Sequence, residues 1–348
     1  MNDTAMPHPA PEATPEAKPN LLVRFLRGAV LWLDSYGGDS QKPSTDDSIN
    51  LVRTAPFIGI HLACFAVIWV GWSWPAVAFA AVLYVVRMFG ITGVYHRYFS
   101  HRTYKLNRFW QFMFALLGNS AAQRGPLWWA AHHRHHHRFS DEPEDIHSPK
   151  QRGFWWSHMF WFLGNSNYRT HSELIPDLVK FPELVWLDRF DILMPFTLGT
   201  ASFFFGYSLQ HVWGVQTSGS QMLVWFFIST VLCAHGTFTI NSLSHVFGTR
   251  RFETSDTSRN NFLLALITLG EGWHNNHHHY QSTVRQGFRW YEIDISWYVL
   301  VALSWVGITK DLKGVPAHIM AKPEEPAARK SENSATTAIP VMQRIESV

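Results

Sequence analysis

Twenty of the 348 residues are histidine, and most of them fall in four groups. The first is His96-Arg-Tyr-Phe-Ser-His101 and the second is His132-His133-Arg-His135-His136-His137. The third is Asn241-Ser-Leu-Ser-His245 and the fourth is His274-Asn-Asn-His277-His278-His279. On a helix, residues three and four apart share a face. His133, His136 and His137 can therefore converge on one point, as can His274, His277 and His278, and Asn241 shares a face with His245. His96 and His101 are five apart, which a straight α-helix does not bring together; a break in the helix at that point would. Taken alone, a run such as HHRHHH reads equally as a solvated basic face or a metal-sequestering tract. Four groups with matched spacing read as one structured metal site. Its imidazoles exceed the needs of one ion and suffice for two. Imidazole suits Fe, Cu, Ni and Zn alike, whereas structural zinc takes about four ligands and favours cysteine. Neutral ligands leave the ions highly charged, so anionic partners are expected around them. Asp141, Glu144, Asp145 and Glu271 are the nearest candidates. His61 and His235, alone in apolar stretches, read as packed or hydrogen-bonded core residues. The scattered His8, His147, His158, His171, His211 and His318 read as non-ligands.

These groups need elements to carry them, and the apolar blocks supply four. Spanning a bilayer takes roughly 20 mostly apolar residues. The stretches 55–74, 75–95, 192–213 and 221–240 qualify, and Arg87 is the only Lys, Arg, Asp or Glu within them. They pair into two hairpins, one turning near Trp74-Pro75 and the other through Gly214-Val-Gln-Thr-Ser-Gly-Ser220. Lys and Arg number 5 in residues 1–54, 12 in 96–190 and 11 in 241–348, which with Arg87 makes all 29. The hairpin tips have none, so the positive-inside rule places both termini and the histidine groups in the cytoplasm. Soluble helices rarely lack a polar face, which argues against a buried soluble bundle. The aromatic-rich stretches 108–118, 154–163 and 262–270 are too short to span and suit interfacial helices; 293–308 is read as interfacial or packed on the cap. The expectation is an all-α integral membrane protein whose four transmembrane helices carry a cytoplasmic helical cap around a di-metal site.

The rest of the composition sets limits. The net charge of +3 gives nothing for nucleic acid to bind, and the two cysteines, Cys64 and Cys233, lie in apolar stretches and make no disulfide framework. The Pro-, Ala- and Glu-rich start reads as a disordered lead-in, not as a signal peptide. The division expected is a disordered or interfacial segment over 1–50, a membrane domain over 51–310 and a disordered tail over 311–348.

In order and spacing, HRYFSH, HRHHH, NSLSH and GEGWHNNHH resemble the successive boxes of the membrane fatty acid desaturases, and most closely the stearoyl-CoA Δ9-desaturase branch. The resemblance runs from about residue 50 to 310. It implies two irons on His96, His101, His133, His136, His137, His245, His274, His277 and His278, with Asn241 near one iron through a water. His132, His135 and His279 fall off the spacing. It also implies a cis double bond made in a saturated acyl chain with O2 and two electrons. Gln123, Trp129 and Thr237 would line a bend in an apolar substrate tunnel. Tyr84 and Met88, about three and two turns before His96, would close its far end, with Met88 favouring C16 over C18. Relatives that bind CoA carry charged pairs where this chain has Ala131-His132 and Asn165-Ser166, with Arg124, Arg152 and Arg169 as possible substitutes. Acyl-CoA, acyl carrier protein and glycerolipid all stay open, and the branch points to acyl-CoA. No HPGG signature of a fused cytochrome b5 occurs, so electrons are expected from a separate ferredoxin, rubredoxin or cytochrome b5-like donor. Arg250, Arg251, Arg285 and Arg289 offer it a basic face.

Two rival readings use the same residues. A lipid or alkane hydroxylase would share the metal site and the first hydrogen abstraction. A metal transporter would need ligands along a path through the bilayer, where only Arg87, His61 and His235 are found.

Overall fold

The computed structural model describes residues 20–320. Within them the chain is helical, and strand-like pairing is confined to isolated bridges such as Ile49 with Gly164. The terminal residues 1–19 and 321–348, with the lead-in and most of the tail expected there, lie outside the described residues.

Helix α1 (Leu21–Leu33) exposes Leu22, Phe25, Leu26 and Val30, an apolar stripe suited to a membrane surface. The first membrane-length run is α2 (Leu51–Cys64) with α3 (Val67–Val70). It begins four residues before the expected start because the Asn50 side chain caps it, accepting from Arg53 N at 3.1 Å. It ends at Gly71, whose φ of +70° is open to glycine and costly for most other residues. Ser73 then caps α4 (Trp74–Phe89), with Pro75 in the first turn. This helix does not break where the histidines begin. It continues as a π-helix over Gly90–Ser100, so the run Trp74–Ser100 is one continuous element.

Four helices follow, α5 (Arg108–Asn119), α6 (Pro126–Phe139), α7 (Pro149–Arg152) and α8 (Pro182–Arg189). Next come α9 (Leu193–His211) and α10 (Gly219–Ser242), the latter extended by a 3-10 turn to His245. Four short helices, α11 (Phe262–Ile267), α12 (His274–His279), α13 (Ile295–Trp305) and α14 (Ala317–Met320), end the described chain.

Among the described residues, three helices are long and apolar enough to cross a membrane: Leu51–Val70, Trp74–Ser100 and Gly219–His245. The expected third span differs. Gly, Ser and Thr dilute α9, and Gln210 and His211 end it, so it reaches span character only together with α8, from which it is bent by 66°. The count is three, or four if that bent pair is one span. Side chains such as Trp69, Phe196 and Leu232 are more than half exposed on these helices, as lipid-facing residues should be. Arg87, the one charge in the four stretches expected from sequence, is fully buried and donates to Thr230 Oγ1 at 2.6 Å and Ser229 Oγ at 2.7 Å. α10 is the central helix and packs on α9, α4 and α2.

Candidate metal centre

The π-helix solves the five-residue spacing. An α-helix bonds residue i to i+4 and a π-helix to i+5, and His101 N bonds His96 O at 3.2 Å. The two imidazoles thus stand one wide turn apart on the same face, with ring centroids 4.8 Å apart. Where a break was expected, the helix widens instead.

Ion pairs, a borrowed cap and asparagine hydrogen bonds hold the histidine-bearing elements together. Arg97, fully buried, pairs with Glu271 at 3.0 Å and Asp294 at 2.9 Å, tying the π-helix to the loop before α12 and the cap of α13. Arg134 donates to the carbonyls of Phe99 and Ser100 and pairs with Asp177, locking α6 against the end of the π-helix. Helix α6 starts at Gly125-Pro126 without a side-chain cap of its own. Asp188 at the end of α8 supplies one, accepting from Leu127 N and Trp128 N at 2.8 Å each. In α12, Asn275 accepts from the amides of Arg251 and Phe252, and Asn276 exchanges hydrogen bonds with Asn260. The asparagines of HNNHH therefore pin the loop that follows α10.

The nine histidines of the expected ligand set converge as two groups. His96, His101, His133, His137 and His277 form one, and His136, His245, His274 and His278 the other, with one ligand atom per residue and all such atoms within 4.8 Å of each other. Closest approaches of facing nitrogens are 2.8 Å for His101 and His133, 3.0 Å for His137 and His277, and 3.1 Å for both His96–His277 and His245–His274. Burial depresses the pKa values of His101, His133, His137, His274 and His277 well below the usual imidazole range, and that of His278 to about 4. Neutral imidazole with a free lone pair is the ligating form. His136 is the exception. Burial opposes its charge, yet the Asp145 carboxylate beside it raises its pKa.

Carboxylates stand behind four of the nine. Glu271 reaches His96 Nδ1 at 2.5 Å, Asp145 reaches His136 Nδ1 at 3.0 Å and Asp141 reaches His245 Nδ1 at 3.4 Å. The fourth, Asp256, accepts from His278 Nδ1 at 2.6 Å. It sits in the Thr-Ser-Asp-Thr-Ser loop, where no spacing marks it. Glu144, also a candidate by sequence, is exposed. His147 joins Asp145 and His136 in a third, smaller group that the sequence reading did not include. His61 and His235, both half-buried, are bonded to each other at 3.1 Å, and His235 to His158 at 3.0 Å, outside both groups.

A cavity of about 240 Å³ runs beside the five-histidine group, with His133 in its wall. Gln123, Trp129, Thr237 and Asn241 share that wall. Trp129 stacks on the His133 ring, centroids 5.0 Å apart, and Gln123 Nε2 donates to Thr237 Oγ1 at 3.0 Å. Met88 lies directly behind, its sulfur 3.9 Å from Thr237 Oγ1 and its side chain fully buried. Tyr84 donates to Ile267 O at 2.6 Å. A Cβ on Gly236 would lie 2.9 Å from both Met88 Cε and Tyr84 Oη, so this glycine lets them close against α10.

Membrane-length helices that deliver two groups of imidazoles to a cap define a membrane protein with a paired polyhistidine site able to hold metal. The chain belongs to the fatty acid desaturase family, whose model matches residues 72–312. It is 36% identical over 272 residues to the Delta-9 acyl-lipid desaturase 1 of Arabidopsis thaliana, covering 76% of this chain and 84% of that one. It is 34% identical to the sn-1 stearoyl-lipid 9-desaturase of Anabaena variabilis, covering 78% and 96%. It is 36% identical to the Acyl-CoA 5-desaturase AL21 of Anemone leveillei, covering 75% and 78%. The resemblance carried by the histidine boxes is borne out at the family level, and the chain is an oxidoreductase of lipid metabolism.

Proposed function

We propose that this chain is an O2-dependent acyl desaturase that makes a cis double bond at Δ9 of a saturated acyl chain. The reaction removes two hydrogens from adjacent methylenes and, with two further electrons and two protons, reduces O2 to two waters. The electrons come from a separate small redox protein. The donor set fits two irons, since it is all imidazole, free of cysteine, and split into two groups with converging nitrogens. Those irons would supply, with O2, an oxidant able to take hydrogen from an unactivated methylene, which no side-chain base can do. The rest is positioning by the chain's own residues. Asp141, Asp145, Asp256 and Glu271 orient imidazoles through their Nδ1 atoms. Trp129 and the Gln123–Thr237 pair set where the acyl chain passes His133, and placement of that kind selects one carbon pair over its neighbours. Asn241, in the cavity wall, would hold a water beside one metal. Termini and metal centre face the cytoplasm.

The observation that carries this reading is the shared wall. The cavity that would take an acyl chain has as its lining His133 of the five-histidine group together with Gln123, Trp129 and Thr237. A metal transporter has no need of such a cavity beside its ligands.

The test is expression in a desaturase-deficient host, beside a His136→Ala, His277→Ala control, with fatty acids profiled by gas chromatography–mass spectrometry. New cis-Δ9 16:1 or 18:1, absent from the control, is expected. Hydroxylated acyl chains would reassign the chain to a sister chemistry, and no new product from iron-loaded protein would overturn the reading.

A further inference from the structure

Arg87 is a cation inside a membrane-length helix, and the metal centre makes no use of it. It is fully buried in α4, and its hydrogen bonds within the described residues go to neutral oxygens: Leu83 O at 3.2 Å, Thr230 Oγ1 at 2.6 Å and Ser229 Oγ at 2.7 Å. The guanidinium also lies 5.0 Å from the centre of the Phe226 ring. Burying a charge among neutral partners is costly, and an ionisable residue at membrane depth is by default a functional one.

The hydroxyls it meets are oriented to receive it. A hydroxyl has one hydrogen and two lone pairs. Ser229 gives its hydrogen to Ala80 O at 2.8 Å, and Thr230 gives its own to Phe226 O at 2.8 Å. Both therefore turn lone pairs toward Arg87. Ser229 thus bonds α4 at Ala80 and again, seven residues on, at Arg87. Two turns of α4 are pinned to one spot on α10.

The same seam runs to the back of the cavity. Thr230 and Thr237 are seven residues apart, two turns of α10, and both are in the cavity wall. Met88 follows Arg87 in the chain and places its sulfur 3.9 Å from Thr237 Oγ1, and Gly236 lets Met88 and Tyr84 close against α10. Helical side chains lean toward the N-terminus of their helix, so Arg87 grips α10 on the side of Met88 away from the histidines. An acyl chain too long for the cavity has to part α4 from α10 at this seam. Parting them breaks charge-assisted hydrogen bonds where no water replaces them.

Resting on the desaturase reading, we infer that Arg87 is a specificity-determining positioning residue, which clamps α4 to α10 behind Met88 and so limits the length of acyl chain that the cavity admits. Ser229 and Thr230 are the other half of the clamp. Arg87 acts through the seam and touches neither the acyl chain nor a metal ligand.

The experiment expresses the full chain and its variants in the desaturase-deficient host, fed palmitate and stearate in equal amounts. Arg87→Met keeps length and bulk but removes the donors, and Ser229→Ala removes an acceptor that the cavity wall does not include. The ratio of 18:1 to 16:1 is read by gas chromatography–mass spectrometry, beside the iron content and melting temperature of the purified proteins. The ratio should rise in both variants, by about tenfold for Arg87→Met, the order that one methylene commands in a closed apolar pocket. Iron per chain should stay unchanged. Arg87→Lys keeps a charged donor and should return the ratio toward that of the unsubstituted chain. An unchanged or lowered ratio in Arg87→Met, or in Ser229→Ala where Arg87→Met does not accumulate, would overturn the inference, even with a lower melting temperature, and leave Arg87 a structural clamp only. No double bond from the unsubstituted, iron-loaded chain would overturn the desaturase reading itself, and the inference with it.

Discussion

Asp256 holds His278 Nδ1 at 2.6 Å, and His278 belongs to the smaller, four-histidine group. A carboxylate in that position fixes the tautomer and raises the basicity of the opposite nitrogen, and its loss typically costs about 10–100-fold in metal affinity. Asp256→Asn keeps the size and the acceptor oxygen but removes the charge. On the proposed di-iron reading, iron counted by mass spectrometry after chelator dialysis should fall from two toward one per chain. Full retention would show that the carboxylate does not tune this ion. Glu144→Gln is the matched control, because Glu144 is exposed, and it should keep both ions. The contrast shows what was legible at this scale. Histidine spacing marks the nine imidazoles because helix geometry is local, but it does not sort them: the two sets expected to converge on single points are divided, His133 and His137 from His136, and His277 from His274 and His278. Asp256 is 22 residues from His278, and only the fold brings the two together.

At the scale of an element, the same division appears between what is periodic and what is tertiary. Apolar length located three of the four expected spans, since bilayer thickness is a one-dimensional constraint. The widened turns of the π-helix were not legible, because they depend on how closely α5 approaches. At its first residue, a Cβ on Gly90 would lie 2.9 Å from the carbonyl oxygen of Leu117, and one on Gly118 would lie 2.2 Å from the Tyr95 ring. Backbone cannot swing away as a side-chain tip can, so Gly90→Ala should push α5 off the π-helix and destabilise the protein by about 1–3 kcal/mol. Gly59, in α2, has nothing within 4 Å of its built Cβ. Gly59→Ala should leave the melting temperature equal or slightly higher, since alanine is the better helix former. Thermal unfolding of the three proteins in one detergent gives the comparison, and equal midpoints for all would contradict the close-packing account.

For the whole molecule, the proposed orientation rests on charge. A positive residue is held on the cytoplasmic side during insertion, so short flanking loops rich in Lys and Arg stay inside. Apart from Arg87, every Lys and Arg lies in the ends or the central cap, and the hairpin tips have none. On the proposed topology the histidine groups share the side of that charge, and a donor protein would have to reach the metal centre there, which makes topology a condition of function. Gln216 is exposed in the turn between α9 and α10, and Glu253 is exposed in the loop after α10. The native Cys233 is buried and Cys64 half-buried, so their labelling background is measurable in the unsubstituted chain. In intact cells a membrane-impermeant maleimide should label Gln216→Cys and spare Glu253→Cys, and permeabilisation should bring Glu253→Cys to the same level. The reverse order would place the metal centre outside the cytoplasm and rule out a soluble intracellular donor. Equal labelling of both in intact cells would mean that the two loops share a face, which an odd number of crossings by Gly219–His245 forbids.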